Sequence, residues 1–485
     1  MSSLKNKTIK AFSWDILGRV FIQGNSFIVS IFLARLLGPE QFGLIAMAMA
    51  FISISSVFID IGFSSALIQS QKNTQTTYSS IFFFNIIAGA ILTIVTFLIA
   101  PLLGKFYDNP LVTDLVRWLS LVFIFNSFNR VQNTILNKEL NFKALTLRTF
   151  VASIISGTLG IVCAYQNWGV YSLVVQTLSF GFLSTILLWS TSTWKPSFLF
   201  SMSEVKRLIG FSVYAFFERI LNNIFIRLDV LLLAKFYSPS IVGYYSRAST
   251  LVDQVTKYSS TSIIRVLFPV LSKVQNNEKE YEKIYFRMFS IISFFSYMLT
   301  GLLYFIGADI ILLIFGNKWQ NSIPIFQILI IASCNMPLHS LMWNALMSKG
   351  KAKENFFFGI VRKSVELIPF IFAMYSTIWW FTVTWVISKF ISSLLNINIL
   401  KKQLNLSQSK HLLYLLNGFL ILIPGIVIFE YLDLNQFATR IIYAIIYLLF
   451  YLLINWVLKN EGLFYILNTI SIIKNVLKER LQSKF

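Results

Sequence analysis

The sequence predicts an all-α polytopic membrane protein with about 14 transmembrane helices, in which two pseudo-symmetric six-helix lobes precede two additional helices. Three observations support this fold class. The chain is 56% hydrophobic and only 13% charged, with a mean hydropathy of +0.70. Apolar runs of about 20 residues, each long enough to cross the hydrocarbon layer, recur along the whole length. Finally, a short motif recurs at an offset of 200 residues.

The repeated motif is LARLLGPEQFG at residues 33–43 and LAKFYSPSIVG at residues 233–243. Both copies keep the Leu-Ala pair, a cation, the proline and the closing glycine. Proline is well placed to start a helix, because its fixed φ and missing N–H cost little in the first turn. Each copy therefore predicts a helix, a tight corner and a second helix. We expect the corner to be a short extracytoplasmic turn within each lobe.

Apolar length and helix-breaking residues place every helix in turn. The N-terminal lobe, residues 1–191, has predicted helices at 12–37, 42–64, 79–103, 112–136, 144–165 and 169–191. A polar cytoplasmic linker at 192–207 precedes the C-terminal lobe, residues 208–400, with predicted helices at 208–236, 241–268, 284–314, 322–347, 354–375 and 378–400. Two additional helices follow within 401–458, at 412–431 and 437–458, before a cytoplasmic amphipathic tail at 459–485. The tail is predicted either to lie on an anionic leaflet or to be an ordinary frayed terminus.

Lysine and arginine accumulate in alternate loops, which orients the chain. One side collects most of the cations, and Arg362 and Lys363 are counted with them. The other side holds little beyond Arg35, Lys105, Lys235, Lys318 and Arg440. This asymmetry predicts a plasma-membrane protein with both termini in the cytoplasm. The formal charge of +21 then results mostly from the loop cations that orient the chain in the membrane, and no nucleic-acid partner is predicted.

Signatures of catalysis are missing from the sequence. It has two histidines and two cysteines, with no phosphate-binding glycine loop and no nucleophile elbow. We therefore expect no enzyme, no cofactor and no metal.

Polar residues inside predicted helices indicate a binding cavity, because ionisable groups at membrane depth are costly. The stripe on the first helix includes Arg19 and Gln23, and Arg219 and Asn223 follow them by 200 residues. Since cations outnumber carboxylates on these faces, the pattern favours an anionic ligand, and arginine suits phosphate through paired hydrogen bonds. The predicted substrate-binding residues are Arg19, Gln23, Arg219, Asn223, Arg247, Gln254 and Lys257.

Two alternatives for these charges stay open. Glu218 with Arg219, and Arg227 with Asp229, could be neutralising pairs without a role in binding. Asp229 and Asp253 are possible coupling carboxylates, whereas Asp60 and Glu366 are expected near helix ends. The sequence does not identify the coupling ion.

Three segments carry a resemblance to a known family. LARLLGPEQFGLIAMAMAF (33–51), DIGFSSALIQ (60–69) and NSFNRVQNTILNKELNFKAL (126–145) resemble the Wzx-type polysaccharide flippases, within them the exporters of the colanic-acid and teichuronic-acid type. The resemblance implies the fold of the multidrug/oligosaccharidyl-lipid/polysaccharide exporters. It also implies a polyprenyl-pyrophosphate-linked oligosaccharide as substrate, moved to the outer leaflet for cell-surface polysaccharide or lipopolysaccharide biosynthesis. Membrane lipid and other polysaccharide-assembly proteins are the further partners it suggests. The alternative is a multidrug or small-molecule antiporter of the same fold.

Overall fold

The computed structural model describes residues 2–70, 72–434, 436–469 and 471; the side chains of 2–13, 15, 16, 210–215, 218, 219, 257–266 and 352 lie outside that description. The described chain is helical and contains no strand. Its contacts divide it into two compact units, Met1–Ser246 and Arg247–Phe485.

The helices of the first unit are α1 (Ser2–Leu36), α2 (Pro39–Ser55), α3 (Phe63–Gln69), α4 (Gln75–Phe106), α5 (Pro110–Lys138), α6 (Phe142–Tyr165), α7 (Tyr171–Thr191) and α8 (Met202–Phe236). Helix α9 (Pro239–Lys273) begins in the first unit and continues into the second. The second unit adds α10 (Glu278–Phe315), α11 (Ile323–Ser333), α12 (Met336–Ser348), α13 (Ala352–Tyr375), α14 (Ile378–Leu404), α15 (Gln408–Tyr431) and α16 (Phe437–Val457).

The all-helical membrane fold is confirmed, and each predicted transmembrane segment coincides with helix. Eleven spans in the described chain are long and apolar enough to cross a membrane. Over their described residues, the remaining long helices α8, α9 and α13 do not meet that criterion. The count of 14 spans and the lobe boundaries stay predictions.

The helix predicted over 42–64 is interrupted near its end. Regular α-helix stops at Ser55, one 3₁₀ turn covers Ser56–Ile59, and the backbone at Asp60 is extended. Gly62 has φ +82°, a left-handed conformation that glycine adopts without a Cβ clash. The chain thereby turns and starts the short helix α3.

The helix predicted over 322–347 is also divided, into α11 and α12. Cys334 and Asn335 form a turn between them, and Pro337 occupies the first turn of α12. Proline supplies no N–H to the helical ladder, which explains why the hydrogen bonding is interrupted here. At this break, the side-chain carbonyl oxygen of Asn335 accepts a hydrogen bond from the Tyr297 hydroxyl at 3.2 Å.

In the first unit, α4 packs on α5, α6 packs on α7 and α1, and α8 packs against α2, α3 and α4. The segment predicted as a polar linker is fastened to the start of α4. Gln75 donates to the Lys195 carbonyl at 2.7 Å, and Thr77 donates to Glu204 at 2.7 Å. The linker is therefore an ordered strap that leads into α8 at Met202, earlier than the predicted start at 208.

In the second unit, α10 is the central helix and packs against α11, α12, α15 and α16. Its buried face carries aromatic side chains throughout its length, including Tyr281, Phe289 and Phe305. Glycines permit close packing, since Gly301 lies against Tyr447 of α16 and Gly418 of α15 lies against Tyr297. The α13–α14 hairpin packs on this assembly through α11 and α12.

Candidate functional site

The two copies of the repeated corner contact each other within the first unit. A Cβ placed on Gly43 would lie 1.7 Å from the Pro239 carbonyl oxygen, and one placed on Gly243 would lie 1.9 Å from the Pro39 carbonyl oxygen. The contact is reciprocal, which matches the internal symmetry of the sequence. The closing glycine of each copy is therefore explained by direct backbone contact with the proline of the other copy.

The cation of the second corner has a structural partner. Lys235 forms an ion pair with Asp108 at 2.9 Å and lies over the ring of Phe106 at 5.4 Å. These contacts join the end of α8 to the turn between α4 and α5. They support a structural role for the corner, as the sequence predicted.

The polar stripe of α1 lies away from both its packing face and its apolar face. The packing face carries Asn25, which donates to Ser153 of α6 at 2.7 Å, and Val29, which lies against Gly157. Arg19 and Gln23 are exposed and lie on a different face of the helix from Asn25 and Val29. At 100° per residue this face is on the side of α1 opposite the exposed apolar side chains, which include Leu17, Val20, Phe21, Ile28 and Phe32. The stripe is thus placed to face water rather than lipid.

The other predicted binding residues lie on α8 and α9. Asn223 is half-buried in the first unit, and Arg247 and Gln254 are half-buried in the second. The side chains of Arg219 and Lys257 fall outside the described residues. Their assembly into one cavity stays a prediction.

The two predicted coupling carboxylates have different environments. Asp229 accepts hydrogen bonds from the Tyr245 hydroxyl at 2.9 Å and from the Val230 N–H at 2.7 Å. Asp253 is exposed. The geometry assigns no ion to either residue.

The second unit contains a charged cluster on α12–α14 that the sequence reasoning missed. Glu366 and Lys389 form an ion pair at 3.0 Å, with side chains only 27% and 16% exposed. Arg362 donates to the Asn396 carbonyl oxygen at 2.8 Å, and His339 shares a hydrogen bond with Ser393.

The location of this cluster corrects two expectations. Glu366 lies in the middle of α13 rather than near a helix end, and Arg362 lies one turn before it rather than in a loop. Lys389 lies in the middle of α14 within an otherwise apolar run. The sequence did contain a signal for this cluster, because Lys389 and Asn396 fall on one helical face together with Ser392 and Ser393.

Two of the three family-like segments, 60–69 and 126–145, form a ladder in the first unit. Asp60 pairs with Arg130 of α5 at 3.4 Å, and Thr134, one turn later, donates to Ser64 at 3.1 Å. One further turn along α5, Lys138 donates to the carbonyls of Leu67 at 3.0 Å and Ser70 at 2.7 Å. Lys138 thereby caps the C-terminus of α3. The ladder fixes α3 to α5 turn by turn.

The described architecture, with eleven helices long and apolar enough to cross a membrane, is similar to that of solved membrane proteins. A solved structure of the lipid II flippase MurJ in an inward closed conformation superposes with a TM-score of 0.71 at 17% identity, covering 91% of this chain and 98% of that one. An inward-facing multidrug transporter of the MATE family superposes with a TM-score of 0.63 at 14% identity, covering 80% and 94%. These similarities establish the fold.

Sequence comparison supplies the family. The family model described as polysaccharide biosynthesis protein matches residues 32–324, more than half of the chain, and the chain belongs to that family. It is 28% identical over 389 residues to an uncharacterized membrane protein in the cps region of Klebsiella pneumoniae, covering 78% of each chain. It is 24% identical over 377 residues to the lipopolysaccharide biosynthesis protein WzxC of Escherichia coli strain K12, covering 76% of this chain and 75% of that one. The family and the fold are those of transporters.

Proposed function

We propose that this protein is a flippase that moves polyprenyl-pyrophosphate-linked oligosaccharide units from the cytoplasmic to the outer leaflet of the bacterial inner membrane. Membership of the polysaccharide biosynthesis family, combined with the flippase fold, is the observation that carries this proposal. The exported units would serve assembly of a surface polysaccharide. Other polysaccharide-assembly proteins are the natural partners of such a step.

The polar stripe of α1 supports the proposal. A glycan and its pyrophosphate cannot cross hydrocarbon unaided, so the protein must offer a hydrated path lined by polar groups. Arg19 and Gln23 are exposed on the non-lipid side of a membrane-spanning helix, where a guanidinium can bind phosphate through paired hydrogen bonds. Together with Asn223, Arg247 and Gln254, and with Arg219 and Lys257, they form the proposed substrate-binding set.

Transport would proceed by alternating access, with two lobes that expose the cavity to one side of the membrane at a time. The lobes proposed for this motion are residues 1–191 and 208–400, joined by the strap at 192–207. Both termini are proposed to face the cytoplasm. Asp229 and Asp253 remain the proposed coupling carboxylates.

A multidrug antiporter of the same fold is the second candidate. The similarity to multidrug transporters is of fold alone, at 14% identity. A cavity for cationic drugs favours acidic or apolar lining, whereas the positions proposed here carry arginine and amide side chains. The family match also favours the flippase.

The decisive experiment deletes the protein and measures lipid-linked oligosaccharide separately in each leaflet. We expect the substrate to accumulate in the cytoplasmic leaflet and surface polysaccharide to disappear, with recovery on complementation. Undiminished arrival at the outer leaflet, in cells with no other flippase for that glycan, would refute the proposal.

Charge reversal tests the cavity assignment separately. Arg19→Glu should reduce export at least ten-fold, because a charge-assisted hydrogen bond contributes about 1.5–3 kcal/mol. Lys105→Glu is the matched control, since this cation is exposed at the end of α4 outside the proposed set. Equal protein levels are required for the comparison. Unchanged export by Arg19→Glu would remove α1 from the substrate path.

A further inference from the structure

A cleft of about 720 Å³ opens at one end of the second unit, between the starts of α10 and α15 and the terminal helix described over 461–469. Its walls combine cations with aromatic rings. Lys279, Lys283 and Arg287 come from α10, Lys410 comes from α15, and Tyr465 comes from the terminal helix. The proposed substrate path does not use this cleft.

The carboxylates of the cleft are already engaged. Glu282 forms an ion pair with Lys410 at 2.9 Å, and Glu461 accepts a hydrogen bond from the Tyr414 hydroxyl at 3.0 Å. Lys410 also lies over the Phe286 ring at 5.1 Å. These contacts build the floor and the rim of the cleft, and they leave the three cations of α10 as its remaining charges.

Those three cations form a like-charge ladder. Lys279, Lys283 and Arg287 are four residues apart, so they follow one face of α10 at intervals of about 6 Å. Among the described residues, no carboxylate pairs with any of them, and Arg287 instead lies over the Tyr465 ring at 4.9 Å. Like charges at this spacing repel and destabilise a helix. A bound anion would relieve that repulsion.

The surroundings indicate which kind of anion fits. Leu413 lines the cleft, and Leu416 and Leu420 continue from it along one face of α15, with exposed fractions of 56%, 56% and 67%. A cationic cleft that leads onto an exposed apolar stripe matches a molecule with an anionic head and an acyl chain. In the proposed orientation this end of the unit faces the cytoplasm, where basic pockets between transmembrane helices recruit anionic headgroups.

We infer that this cleft binds an anionic glycerophospholipid of the cytoplasmic leaflet. The headgroup phosphate contacts Lys279, Lys283 and Arg287, and an acyl chain lies along Leu413 and Leu416. The terminal helix closes one wall of the site, and the bound lipid fastens it to α10. The inference rests on the proposed orientation, but not on the identity of the transported glycan.

The test uses the purified full-length protein in detergent, titrated with phosphatidylglycerol. Bound lipid is counted by native mass spectrometry, and thermal unfolding is followed in parallel. Lys279→Gln/Lys283→Gln is the cleft variant, because neither lysine forms a hydrogen bond or an ion pair with any residue that the structure describes. Lys401→Gln/Lys402→Gln is the control, since these exposed lysines at the end of α14 carry the same charge outside the cleft.

We expect saturable stabilisation of the wild type and the control by phosphatidylglycerol. The cleft variant should bind about 25-fold more weakly, because each lysine near an anionic headgroup contributes about five-fold. Without lipid, its unfolding temperature should equal or exceed that of the wild type, since the repulsion is reduced. Equal lipid affinity of the cleft and control variants would overturn the inference.

Two further arms distinguish the source of the phosphate. Phosphatidylcholine, which carries a phosphate but no net charge, should bind weakly to every variant. Inorganic pyrophosphate at matched concentration can also bind the proposed substrate-binding residues, so its effect is compared between the wild type and the cleft variant, and the two should respond equally. A pyrophosphate response that is lost in the cleft variant would identify the cleft as a site for soluble anions and overturn the lipid assignment. Because no arm measures export, a failure here is separable from a failure of the proposed function.

Discussion

Replacement of Gly43 by alanine tests whether the reciprocal corner contact stabilises the first unit. The new Cβ would lie 1.7 Å from the Pro239 carbonyl oxygen and 2.6 Å from its carbonyl carbon, whereas ordinary van der Waals contact begins near 3.4 Å. The corners must therefore separate by about 1.7 Å. Both partners are backbone atoms, so no side-chain rotation can relieve the clash.

The expected cost is at the upper end for overpacking, about 3 kcal/mol. For a unit of this size, about 1 kcal/mol corresponds to roughly 2–4 °C, so the unfolding temperature should fall by about 6–12 °C. Gly243→Ala should give a similar fall, because its Cβ would lie 1.9 Å from the Pro39 carbonyl oxygen. The double variant should cost less than the sum, since both substitutions open one contact.

Gly24→Ala is the matched control, because a Cβ there meets nothing within 4 Å. In a helix interior this substitution should be neutral or stabilise by about 0.5–1 kcal/mol. Thermal unfolding of the purified variants in one detergent provides the measurement. An unfolding temperature for Gly43→Ala within about 3 °C of the Gly24→Ala value, half the smallest fall calculated above, would show that the two corners do not pack as described.

Three other substitutions have expected outcomes that thermal unfolding can check. Lys138→Met should cost about 1–3 kcal/mol, because the Leu67 and Ser70 carbonyls at the end of α3 lose a charged donor and keep only the Asn73 side-chain amide. Glu366→Gln should cost about 3 kcal/mol by leaving Lys389 without its counter-charge, and the double replacement Glu366→Gln/Lys389→Met should recover most of the loss. Hydrogen bonds from the Thr77 hydroxyl and the Arg207 guanidinium lower the pKa of Glu204. The ionised Glu204 carboxylate therefore stabilises the fold above the ordinary carboxyl pKa of about 4.3, and this stabilisation is lost as the pH falls through the lowered pKa. Since Glu204→Gln has no such carboxylate, the variant should lose less stability than the wild type on acidification.

Each of these outcomes has a control within the chain. Lys143→Met removes a cation that stacks on Trp14 without capping a helix, so it should cost less than the Lys138 substitution. If the Glu366 single and double replacements were equally destabilised, the ion pair would not be the cause. For Glu204, parallel pH profiles of the wild type and the variant would contradict the assigned hydrogen bonds.

Much of the fold follows from the sequence because the membrane enforces long apolar helices. Each predicted span coincides with helix, whereas the contact between the duplicated corners was not predicted. The helix breaks were harder to predict. Gly62 and Pro337 lie within apolar runs that satisfy the length criterion, and local backbone geometry decides whether the run continues.

The charged cluster of the second unit was missed for a different reason. Arg362 resembles a loop cation when charge is counted along the chain, and Lys389 is a single charge in an apolar run. Their significance comes from a tertiary contact between α13 and α14, which brings Glu366 to Lys389 and Arg362 to Asn396. The sequence pattern shows each of these residues but does not show which of them are paired in the folded chain.

The family-like motifs also change meaning in three dimensions. Asp60 and Ser64 of one motif contact Arg130 and Thr134 of the other, and Lys138 caps the helix between them. All of these contacts fasten α3 to α5, and none requires a ligand. These residues of the family-like segments therefore maintain the fold. Substitutions in this ladder should lower protein stability together with export, whereas a change at Arg19 should alter export at constant stability. That separation of outcomes is the means to distinguish residues that define the family from residues that recognise the glycan lipid.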